Sequence, residues 1–79
     1  MTELLSLNKL RAGQTGIIRS FTKNGGIQFR LRELGLVRGT TILVKRLAPF
    51  LDPMELQVRG YNLSIRKKDA ATVLVERVK

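Results

Sequence analysis

The chain has 79 residues, 43% of them apolar, with fifteen Lys and Arg against six Asp and Glu and neither cysteine nor histidine, for a formal charge of +9. A chain of this length forms one domain, residues 1–79, burying only about 60% of its unfolded surface, which leaves a thin core and little room for a deep active-site pocket. The absence of cysteine excludes a disulfide framework and thiolate chemistry and fits a reducing, cytosolic setting.

The apolar fraction supports a folded chain rather than a disordered one. Apolar runs are only a few residues long, too short to span a bilayer, and the opening MTELLSLNKL lacks the basic and apolar regions of a secretory signal. The positive surplus favours anionic partners: nucleic acid, the anionic inner leaflet of a membrane, or an acidic protein surface. It serves solubility equally well and by itself selects none of these.

Leu4, Leu5, Leu7 and Leu10 form an apolar opening that ends at Ala12-Gly13, either a brief strand or a helical turn capping the core. Gly13 and Gly16 bracket Gln14-Thr15 as a turn or strand entry, and residues 17–21 read as a strand. Lys23-Asn24-Gly25-Gly26 is a loop, with Asn24 placed to N-cap a helix beginning near Gly26. Its glycines lack the spacing of a phosphate-binding loop.

Ile27, Leu31 and Leu34 then recur at i, i+4 and i+7, an apolar helical stripe expected to face the core. Arg30 and Glu33 stand at i, i+3 as a weak pair, and Phe29 is either a flank of the core or an exposed contact residue. Gly35 follows the stripe where a left-handed residue ends a helix. If Gly35 is C′ of a Schellman end, Leu36 is C″ and folds back on Leu31 at C3. Gly39 precedes a β-branched run, so the block 30–39, RLRELGLVRG, reads as a helix locked at a fixed angle to a strand.

From residue 40 to 47 the period changes to two, with Ile42 and Val44 on one face and Leu43, Lys45 and Leu47 on the other. Residues 48–53 hold two prolines and make a wide connection. Met54, Leu56 and Val58, then Tyr61, Leu63 and Ile65, alternate with polar residues on either side of Arg59-Gly60, the strongest hairpin signal in the chain. Residues 67–71 suit one helical turn with its alanines against the sheet, and Val73, Leu74, Val75 and Val78 give a last strand. The fold class is mostly β with one short α-helix, a small SH3-like β-barrel of about five strands.

At family level the chain resembles FeoA, small cytosolic proteins of bacterial ferrous iron uptake. The resemblance rests on Leu7, Leu10 and Gly13, on RLxELGL from 30 to 36 with Gly39, on Ala48-Pro49 with Asp52-Pro53, and on the hairpin 58–61. It continues through Leu63-Ser64-Ile65-Arg66 and Ala70, Val73 and Val75, and so covers residues 7–75. It implies an SH3-like fold and partnership with the membrane GTPase that transports ferrous iron, a FeoB-like protein. The same module ends metal-dependent repressors, but 79 residues leave no room for a helix-turn-helix domain, so a repressor is not expected.

Chemistry narrows the role further. Without His or Cys, the common general base and the thiol nucleophile are missing, and the six acids are scattered, so no catalytic residues are assigned and no enzyme is expected. Transition metals want thiolate or imidazole, and neither is present, so no metal ligands and no cofactor are assigned. The link to iron then reads as regulation of iron traffic rather than ligation.

A proline-recognition groove is poorly furnished with only Phe21, Phe29, Phe50 and Tyr61, and Tyr61 reads as a flank of the core. The alternative is a small basic nucleic-acid-binding barrel, although the cations are spread along the chain without aromatic alternation. The leading expectation is a non-enzymatic adaptor that docks on the cytoplasmic domain of the transporter or a membrane-apposed surface. Phe29, Arg30, Arg32, Val37 and Arg38 are the expected contacts, and Leu31, Leu34, Gly35, Leu36 and Gly39 hold the corner in shape.

Overall fold

A computed structural model describes residues 3–22, 25–47 and 52–78. The apolar opening is a strand and then a turn: β1 (Leu4–Ser6) pairs with the last strand, and a 3-10 turn (Leu7–Lys9) delivers Leu7 and Leu10 into the core. β2 (Thr15–Phe21) starts two residues before the apolar run, because Thr15 and Gly16 pair with Leu43 and Ile42. Gly16 is a close approach. A Cβ there would lie 3.0 Å from Leu10 Cδ1 and 3.1 Å from Val75 Cγ2.

The helix α1 (Gly25–Glu33) leads to β3 (Thr41–Leu47), then to the hairpin β4 (Met54–Val58) and β5 (Tyr61–Ile65). Arg59 and Gly60, at φ 51° and 87°, give the two-residue turn the double positive φ of a type I′ hairpin. A short helical turn, α2 (Lys67–Ala70), buries Ala70 and leads to β6 (Val73–Val78).

The antiparallel order is β1-β6-β2-β3-β4-β5. The sheet has six strands, β1 being the addition to the expected five. The ladders leave β1 and β5 as edges instead of joining them, so closure into a barrel is not part of the observed pairing.

Period-two alternation fills the core. Ile18, Ile42, Val44, Met54, Leu56, Val58, Val73 and Val75 are all fully buried, with Ile27, Phe21, Leu5 and Leu63 packed at the margin. The helical stripe enters only in part: Leu31 is buried, whereas Leu34 is 40% exposed and is not a core residue. Leu34 lies beyond the last helical residue, and the turn that follows brings Leu36 inward in its place.

The Arg30–Glu33 pair does not form. Among the described residues the ion pairs are Arg19–Glu76 at 2.8 Å and Arg46–Glu55 at 3.3 Å, both cross-strand. Each is partly exposed and worth about 0–1 kcal/mol. Asn24 and the 48–51 part of the wide connection, which includes Ala48, Pro49 and Phe50, lie outside the described residues.

Truncation should separate the leucines. Leu31→Ala and Leu36→Ala are each expected to lower unfolding free energy by about 2–5 kcal/mol, and Leu34→Ala by about 1 kcal/mol or less. Urea denaturation followed by circular dichroism checks this, and equal losses at all three sites would return Leu34 to the core.

Candidate docking corner

The end of α1 is closed by backbone geometry. Leu36 N–H donates to the Leu31 carbonyl at 3.0 Å and Gly35 N–H to the Arg32 carbonyl at 2.9 Å, the paired bonds of a Schellman motif. Gly35 has φ +91°, a conformation that L side chains rarely adopt. With Leu31 and Leu36 both buried, the motif is anchored in the core on each side of the turn. Gly39, also at positive φ, donates to the Ile18 carbonyl at 2.7 Å, and Ile18 N–H donates to Thr40 at 2.9 Å, so the exit from the corner is tied to β2.

The hairpin tip supplies the remaining support. The Tyr61 hydroxyl donates to the Leu34 carbonyl, one of the groups a helix end leaves without a helical partner. Arg59 Nη2 donates to Thr40 Oγ1 at 3.4 Å, and Thr40 Oγ1 donates to the Gly35 carbonyl at 3.5 Å, both long bonds. Tyr61 is 44% exposed, so it is not the flank of the core its alternation suggests. Neither Tyr61 nor Arg59 carries a local signal for this role; the contact to Leu34 spans 27 positions of sequence.

Of the expected contact residues, Phe29 is 62% exposed, Arg30, Arg32 and Arg38 are exposed, and Val37 is half-buried. Arg32, Val37 and Arg38 share a shallow groove of about 270 Å³ with Phe21, Gln28 and Leu36, while Phe29 and Arg30 are outside its lining. Gln28 holds the groove's near wall by donating from Nε2 to the Thr22 carbonyl. Phe21 and Gln28 belong to the groove on this evidence of proximity, which periodicity along a single element does not reveal. Glu33 is the only acid in 25–40, so the corner is cationic. Arg30 and Arg32 in the last helical turn also complement the negative end of the helix dipole.

Among the described residues no group of three or more carboxylates lies close enough to hold a metal ion, and no helix is long and apolar enough to cross a membrane. What the geometry offers is an exposed, cationic surface on a helix end closed by backbone hydrogen bonds.

The chain belongs to the FeoA domain family, whose model matches residues 5–77. FeoA domains are small non-catalytic accessory domains linked to ferrous iron transport. A curated relative is the Fe(2+) transport protein A/Fe(2+) transporter FeoB fusion protein of Porphyromonas gingivalis (strain ATCC BAA-308 / W83), 36% identical over 72 residues. That match takes in 91% of this chain but only 8% of the fusion protein's length. The solution structure of a FeoA-like protein from Clostridium acetobutylicum is 33% identical, with a TM-score of 0.93 over 100% of this chain and 92% of that one. The crystal structure of an iron uptake regulatory protein (FeoA) is 25% identical, with a TM-score of 0.86 over 96% and 99% of the two chains.

The two positive-φ glycines of the corner differ in surroundings. A Cβ on Gly35 would come within 2.8 Å of the Tyr61 hydroxyl, whereas one on Gly39 meets nothing within 4 Å. Gly39→Ala should therefore cost about 1–2 kcal/mol of backbone strain alone. Gly35→Ala should cost about 1 kcal/mol more, because the phenol must leave its carbonyl. In a Tyr61→Phe background that excess should vanish. Chemical denaturation of the three single variants and the double variant is the check; an excess that survives removal of the hydroxyl would place the cost elsewhere.

Proposed function

We propose that this domain is an accessory, regulatory component of ferrous iron uptake that docks its helix-to-strand corner on the cytoplasmic domain of a FeoB-like membrane GTPase transporter. The observation that carries the reading is the fusion: a relative 36% identical over 72 residues is joined to FeoB in one polypeptide. Fusion holds two domains at an effective concentration on the order of millimolar. Where the two are separate chains, association has to come from the surface itself.

The corner suits that task. Phe29 and Val37 supply apolar contact, and Arg30, Arg32 and Arg38 steer the approach to an acidic or membrane-apposed face. An anionic leaflet beneath the transporter adds attraction of about 1 kcal/mol per Lys or Arg brought near it. The domain then acts at the cytoplasmic side of the inner membrane, held there through its partner. Leu31, Gly35, Leu36 and Gly39 contribute by fixing the surface before binding, which lowers the ordering cost of the complex.

Isothermal titration calorimetry against the transporter's purified cytosolic domain tests the proposal. Arg32→Glu is expected to weaken binding about tenfold while leaving the circular dichroism spectrum unchanged and lowering the melting midpoint by only a few degrees, the cost of a reversed charge at the helix end. No binding by the unaltered chain at moderate salt would overturn it. Retardation of RNA or DNA that falls steeply with salt, with indifference to the transporter domain, would favour a nucleic-acid role instead.

A further inference from the structure

The two edges of the sheet are not alike. β1 is three residues long and runs straight into the 3-10 turn. β5 is five residues long and in unbroken register with β4, from Val58↔Tyr61 to Met54↔Ile65. Its sequence, YNLSI, has no charge and no proline, and its register has no bulge. Edges of natural sheets are commonly blunted by shortness, lysine, proline or a bulge. β5 has none of these devices.

The hairpin also fixes which backbone groups are available. In a two-residue hairpin closing on Val58 and Tyr61, hydrogen-bonded pairs recur at every second position, so Tyr61, Leu63 and Ile65 face β4. The N–H and C=O of Asn62 and Ser64 then point away from the sheet. Among the described residues no backbone bond reaches them from outside the hairpin. Asn62 and Ser64 are exposed, and recesses of about 270 Å³ (with Glu55 and Leu63) and 290 Å³ (with Asp52, Pro53 and Arg66) open beside them.

Charge decides what fits this edge. A second copy pairing β5 antiparallel about Leu63 would set Arg59 of each copy opposite Lys67 of the other, cation against cation at both ends. The acids nearby relieve this only in part: Glu55 is paired with Arg46, and the Asp52 carboxylate, whose Oδ1 accepts the Lys67 backbone N–H at 2.9 Å, is outnumbered by Arg66, Lys67 and Lys68. An uncharged strand with Arg59 before it and Arg66, Lys67 and Lys68 after it complements a segment of opposite design.

We propose that β5 is a strand-addition site for an extended segment of another protein, with about five uncharged residues at its centre and acidic residues at both ends. Main-chain bonds from Asn62 and Ser64 hold the segment, its alternate side chains enter the recesses, and the terminal cations set its register. The outward edge at Asn62 and Ser64 is distinct from the expected contact residues 29–38, although Arg59 and Tyr61 at its start also brace the corner, and the proposal does not rest on the transporter reading.

The test is an NMR titration of the 15N-labelled full chain with a blocked peptide, Glu-Glu-Thr-Val-Thr-Val-Thr-Glu-Glu, and its counterpart with lysine in place of glutamate. The glutamate peptide should shift the Asn62 and Ser64 amides and slow their hydrogen exchange. The lysine peptide should bind at least about tenfold more weakly, as expected when attractive end contacts become repulsive. Ser64→Pro removes an outward N–H and should abolish binding. Arg66→Glu, an exposed change that leaves Arg59, Lys67 and Lys68 in place, should narrow the preference for the glutamate peptide even if the proline variant fails to fold, and an unchanged preference would overturn the role given to the terminal cations. Absence of shifts on β5 at millimolar peptide, equal binding of both peptides, shifts confined to 29–38, or self-association through β5 would each overturn the proposal. None of these results bears on calorimetry with the transporter domain, so the two proposals fail separately.

Discussion

At φ +91°, Gly35 turns the chain so that Leu36 donates its N–H back to Leu31 and sets its own side chain in the core. Leu31 and Leu36 lie on opposite sides of that turn, so the helix cannot rotate about its axis without withdrawing one of them from the interior. Each withdrawal costs about 1.5–3 kcal/mol of burial. The remaining contacts of the corner build on this closure. Tyr61 reaches the Leu34 carbonyl because no Cβ stands on Gly35, and Gly39 ties the entry to β3 onto β2 through the Ile18 carbonyl. Support from the core, the hairpin tip and a neighbouring strand fixes the backbone that carries the corner's arginines, and preorganisation of that kind favours affinity more than added area does.

The division between interior and surface follows from size. A domain this small has one thin apolar cluster, drawn from the inward faces of β2–β6 together with Leu7, Leu10, Leu31, Leu36 and Ala70. The cationic surplus therefore has nowhere to go but the surface. Among the described residues, Glu55 and Glu76 pair across strands with Arg46 and Arg19, and the helix corner and the start of α2 are cationic regions beside a groove or recess. Both are suited to associating with acidic surfaces, and neither is built for bond-making chemistry. An accessory domain needs no more than this: stable presentation, electrostatic steering and a partner of opposite sign.

The sequence made the local structure legible where one rule dominated. Arg59-Gly60 between two period-two runs gave the hairpin with its register, and Gly35 after Leu34 gave the Schellman end down to its C″ residue. Leu34 was misread because i, i+4, i+7 spacing presumes a helix that continues; once the chain turns at Gly35, Leu36 occupies the inward position. The site was less legible. Arg30 and Arg32 lie off the stripe and are exposed, whereas the stripe left Phe29 open between core flank and contact, and the groove depends on Phe21 and the latch on Tyr61, both brought near by tertiary packing. Strand count was a matter of β1, whose three residues carry no period of their own and are strand only because β6 pairs with them.

The central claim is that the locked corner is the surface a transporter reads. Mapping amide shifts of the 15N-labelled chain on titration with the cytosolic domain of a FeoB-like transporter tests it most directly. The account expects the largest changes across residues 29–38, with the core amides of β3, β4 and β6 unmoved. Binding that leaves 29–38 unchanged and perturbs another face would contradict it.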